Sequence, residues 1–104
     1  MKSERITKKV AEQTGSYMAS IILVNLIAQL GNEITPTVRI ADSIWFSPRI
    51  DWLEKNTNLG FPSVLKVLNL LKEFEYIDKQ VDGGKIFVCV NFEKLEGLDD
   101  EKVS

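Results

Sequence analysis

The sequence predicts an α+β fold, mostly α, in one domain of 104 residues: three to four helices followed by a C-terminal two-stranded hairpin. Three observations carry that expectation. Residues 17–30, YMASIILVNLIAQL, are apolar over most of a helix circumference. Residues 47–75 repeat apolar side chains at helical spacing on either side of a short polar break. Residues 76–92 place two strand-like runs around Asp82-Gly83-Gly84, a glycine pair that permits the positive φ of a tight hairpin. The composition, 44% hydrophobic and 27% charged, supplies both a core and a charged surface at a length that fits one domain.

Residues 3–13 read as a polar helix with Ile6 and Val10 four apart on one side, broken at Gly15. Ser16 is a good N-cap for the helix over 17–30. Gly31 and Asn32 end that helix, and a left-handed cap is expected there. Its apolar girth leaves two readings open: a homodimer through this helix, or a central helix wrapped by the first helix and the tail. Residues 33–43 read as a loop or irregular hairpin holding Pro36, and Ile44, Trp45 and Phe46 as a short strand-like run. Ser47-Pro48 reads as a helix start, the serine capping and the proline standing where no N–H is needed. That helix runs through Lys55 with Ile50, Leu53 and Trp52 facing inward, and the break at 56–60 follows. The next helix opens at Phe61-Pro62-Ser63 and runs to about Glu75, with Val64, Val67, Leu68 and Leu71 on one face. Strands 76–81 and 85–92 follow, with Ile86, Val88, Val90 and Phe92 on one face and Phe87, Cys89 and Asn91 on the other. Residues 93–104 read as a frayed acidic tail after a short turn.

The formal net charge of −2 is not that of a chain with bulk affinity for phosphate. Residues 1–15 carry a net +2 and residues 93–104 a net −3, while 47–92 hold six charges of each sign. There is no histidine, which removes the commonest general base and the commonest metal ligand. No nucleophile motif and no glycine-rich phosphate loop is present, so an enzyme is not expected and no cofactor is implied. Asp51 and Glu54, beside Arg49 and Lys55, read as ion-pairing groups, and Asp99, Asp100 and Glu101 as a solvated run. The single cysteine, Cys89, excludes an internal disulfide and suits a reducing compartment, hence a cytoplasmic setting. Between Val88 and Val90 it reads as a small buried filler. Trp45 and Trp52 read as core aromatics. The run at 17–30 is interrupted by Asn25 and Gln29 and is short for a bilayer, so no membrane association is expected.

The order helix, tight turn, helix, strand, glycine turn, strand is that of a helix-turn-helix extended by a hairpin. The span 44–95, IWFSPRIDWLEKNTNLGFPSVLKVLNLLKEFEYIDKQVDGGKIFVCVNFEKL, resembles the winged helix-turn-helix domain of many phage and plasmid replication and regulatory proteins. Its marks are the Trp-bearing strand, a "WLEK-x-T-x-L" helix, a second helix ending in "LKE" and an "NFEKL" close; residues 16–30 match the apolar helix that precedes the unit. The resemblance implies contact with double-stranded DNA by the second helix and the wing, in transcription regulation or replication. The implied contacts are Arg49 at the first helix, Ser63, Lys66, Asn69 and Lys72 on the second, and Lys79 and Lys85 on the wing, joined by the backbone of Gly83 and Gly84. Asn69 suits adenine, Lys66 a guanine edge and Ser63 a phosphate at a helix N-terminus. Against this, Phe61, Pro62, Leu65 and Leu70 stand where base readers are usually polar, and Glu73 repels phosphate. The alternative expectation is therefore a protein-interaction module of the same fold, docking through Leu65 and Leu70 or through the acidic tail. Dispersal of the basic residues among the acids would favour that alternative over a continuous positive stripe.

Overall fold

In the computed structural model, which describes residues 3–100, two helices lead the chain, α1 (Ser3–Thr14) and α2 (Tyr17–Leu30). Gly15 takes φ +72° between them, where a side chain would be strained. Ser16 caps α2 as expected, its hydroxyl accepting the Ala19 N–H at 3.1 Å. Gly31 does follow the last turn, but with φ −75°, so the left-handed cap is not formed.

A hairpin follows, β1 (Thr37–Ile40) and β2 (Ser43–Phe46). Then come α3 (Ile50–Thr57), α4 (Phe61–Glu73), β3 (Ile77–Asp82), β4 (Lys85–Val90) and α5 (Phe92–Asp100). Five helices and one four-stranded antiparallel sheet, order β1-β2-β4-β3, account for the regular structure of the described residues. The fold is thus α+β and mostly helical. α3 and α4 pack together across a turn in which Asn58 takes φ 59°, and β3 and β4 pair in full around Gly83 and Gly84.

The core is a single cluster. α1 gives it Ile6 and Val10; α2 gives Ile22, Leu23 and Leu26; α3 gives Leu53; α4 gives Val64, Leu68 and Leu71. Phe46, Ile77, Val88 and Val90 come from one sheet face, consistent with the register Phe46↔Val88 and Ile77↔Val90. α2 packs against α1, α3 and α4, and Tyr17 is its only exposed large apolar residue. Within the chain α1, α3 and α4 cover α2, while Met18, Ile21, Val24, Ile27 and Leu30 stay half-buried.

Several expectations need correction. Of the two readings of residues 33–43, loop or irregular hairpin, the hairpin holds, but it is regular: these residues contain its first strand, closed by the two-residue loop Ala41-Asp42. Ser47-Pro48 does not start α3: Arg49 is its N-cap and no side chain of its own segment caps it. The capping role passes to the buried Gln29 of α2, whose Oε1 accepts the Arg49 N–H at 2.6 Å and whose Nε2 donates to the Arg49 carbonyl at 3.2 Å. β4 stops at Val90, and Phe92 begins a helix instead of extending the strand. The acidic segment is folded as α5 through residue 100, with Leu95 fully buried, because Asn91 caps it and Leu95 has α1 to pack on. Trp52 is 41% exposed and Trp45 half-buried, so neither is a core aromatic; Cys89 is half-buried on the sheet face turned from the core. Among the described residues no helix is long and apolar enough to cross a membrane.

Candidate interaction surface

α4 carries most of the residues implied by the resemblance. Ser63, Lys66 and Asn69 are exposed, and with Pro62 and Glu73 they follow helical spacing along one stripe. Lys66 makes no ion pair among the described residues. Leu65 and Leu70, the alternative contact pair, are half-buried and packed against the core, which leaves them little free surface.

The remaining cations are spent or scattered. Arg49 donates to Asp51 at 2.8 Å and lies 4.8 Å from the centre of the Trp52 ring. The guanidinium's hydrogen bond holds the Asp51 carboxyl below its usual range, with the charge of Arg49 adding to it. Lys72 donates to the Lys79 carbonyl at 3.1 Å and sits 3.9 Å from Asp78, tying the end of α4 to β3. Lys79 pairs with Val88 and Lys85 with Asp82, which places the two lysines on opposite faces of the hairpin. Asp82 stands directly across from Lys85. Lys79 and Lys85 therefore do not share a face, and Arg49, Lys79 and Lys85 each have an acid or a half-buried setting beside them.

The hairpin of β1 and β2 carries an apolar surface of its own. Val38 pairs with Trp45, and Ile40 with Ser43, on the sheet face away from Phe46 and Val88. Phe87 and Cys89 of β4 lie on that same face. Val38 is 54% and Ile40 59% exposed, while Trp45, Phe87 and Cys89 are half-buried. Ile34, just before the hairpin, is 82% exposed. Of the eight exposed large apolar residues among those described, Ile34, Val38, Ile40 and Ile44 thus fall in or next to this hairpin. The sequence signal for it is weak: β-branched residues at alternating positions, with no Gly or Asn in the loop to announce a hairpin. Among the described residues no group of His, Cys, Asp or Glu is placed to hold a metal ion. No family model, no curated protein and no solved structure matches this chain.

Proposed function

We propose that this chain is a binding module of winged helix-turn-helix architecture that docks onto a protein partner through the open face of its sheet. The architecture is supported by the order helix, strand, strand, helix, helix, strand, strand from α2 to β4, with β2 lying beside the returning strand β4. The observation that carries the function is the run of solvent-exposed apolar side chains at Val38 and Ile40, continued by Trp45 and Phe87 on one face. Isolated exposed apolar residues are ordinary, but a contiguous set on a sheet face without a helix over it is a docking surface. The dispersed cations argue the same way, because affinity for duplex DNA rises with the number of phosphates neutralised at once.

One observation favours a second reading, a DNA binder in transcription regulation or replication of a phage- or plasmid-type element. The stripe Ser63, Lys66 and Asn69 is exposed along α4. The two readings separate in a salt-titrated binding measurement on random duplex DNA, paired with partner capture from the source organism. The docking reading expects no DNA affinity at low salt, and capture that is lost on Ile40→Asp and kept on Lys66→Ala. DNA affinity that falls steeply with salt and vanishes in Lys66→Ala/Asn69→Ala would overturn it.

A further inference from the structure

The open sheet face continues into a cleft. β2 and β4 are joined by the single pair Phe46↔Val88, and beyond it the strands part. The opening, about 660 Å³, has residues 42–45 along one wall and 89–93 along the other, with Lys72, Glu75, Ile77 and Asp78 closing it. That is the size range of sites that seat a few side chains. The apolar lining that remains partly open to solvent is Ile44, Trp45, Cys89 and Phe92, with Trp45 and Cys89 on the open face of the sheet and Ile44 on the opposite one.

The charge of the rim is one-sided. Asp42, Glu75, Asp78 and Glu93 border the cleft against one cation, Lys72. That lysine is already committed to Asp78 and to the Lys79 carbonyl. Asp42, Glu75 and Glu93 are exposed and make no ion pair among the described residues. Such a rim repels nucleic acid and acidic chains, and it attracts and orients a basic one. Its apolar floor asks for an uncharged anchor beside those bases.

Resting on the protein-docking reading, we propose that the β2–β4 cleft holds a short basic segment of the partner, an aromatic or aliphatic side chain between Trp45 and Phe92 and flanking Lys or Arg on Asp42, Glu75 and Glu93. The apolar set at Val38 and Ile40 lies on the same hairpin and extends the contact beyond the cleft.

The test is calorimetry of the full chain with three short synthetic peptides of equal length: one of Lys and Phe, one with Glu in place of Lys, one with Ser in place of Phe. The Lys–Phe peptide is expected to bind, and either replacement to weaken it at least about tenfold. In ¹⁵N-resolved NMR the shift changes should fall at residues 42–45 and 89–93. The variant Asp42→Asn/Glu75→Gln/Glu93→Gln, checked for fold by circular dichroism, should lose at least about tenfold in affinity. Were that variant unfolded, the salt dependence of the wild-type affinity decides instead: a drop with added salt supports the acidic rim, and no drop overturns it. No binding by the Lys–Phe peptide, equal binding by the Glu–Phe peptide, or shift changes elsewhere would also overturn the proposal. Such a failure with Ile40→Asp still abolishing partner capture removes only the partner's chemistry. Salt-steep DNA binding through Lys66 and Asn69 removes the docking reading, and this proposal with it.

Discussion

Gln29 shows how much one side chain decides. It is a polar residue buried in the most apolar helix of the chain, and its amide meets both backbone groups of Arg49. Its own carbonyl accepts from the Thr35 hydroxyl at 2.7 Å, so α2, the following loop and the start of α3 are held at one point. Gln29→Leu keeps the volume and strands the Arg49 N–H, which is expected to cost about 1–3 kcal/mol in chemical denaturation. Nothing local in the sequence marks this role, because the partner lies twenty positions away. The Arg49–Asp51 pair, by contrast, is legible from spacing. Because the folded carboxyl titrates below its usual range, the pair's small contribution is present above the unfolded value and fades as pH falls through the folded one. An NMR titration should place the Asp51 midpoint below the ordinary carboxylate value and return it there in Arg49→Ala.

Among the elements, α5 is the one that composition conceals. Five acids in residues 93–104 obscure the spacing of Phe92 and Leu95, and Gly97 lowers helix propensity in the middle. The structure makes the helix from contacts. Asn91 caps it, accepting the Lys94 N–H at 3.1 Å, and its own N–H donates to the Tyr76 carbonyl at 2.9 Å. Lys94 lies over the Tyr76 ring at 4.7 Å and donates to the Phe74 carbonyl, while Tyr76 donates its hydroxyl to Gln13 of α1. Leu95 completes the core against α1. Leu95→Ala should therefore cost about 2–5 kcal/mol, as a core truncation does, and Asn91→Ala about 1 kcal/mol. Both should lower the denaturation midpoint with little change in slope. A solvated tail would show no effect from either substitution.

For the whole molecule, the distribution of apolar surface matters more than its amount. The helices bury their apolar faces in one cluster, while one sheet face keeps Val38 and Ile40 in solvent. On the proposed docking role, residues that serve folding and residues that serve docking respond differently to change. Val38→Thr/Ile40→Thr should shift unfolding free energy by no more than about 0.5 kcal/mol while abolishing partner capture. A large loss of stability would mean the hairpin supports the fold instead. The features that residue order alone makes legible are local: the spans of α1, α2 and α4, the Ser16 cap, the break between α3 and α4, and the glycine turn of β3 and β4. Those depend on backbone preference and on side chains three or four positions apart. The β2–β4 pairing, the outward turn of Val38, Ile40 and Trp52, the Gln29 cap and the acidic cleft arise only once the chain is packed. Each of these needs residues distant in sequence to meet, and burial is a property of that meeting, not of any residue by itself.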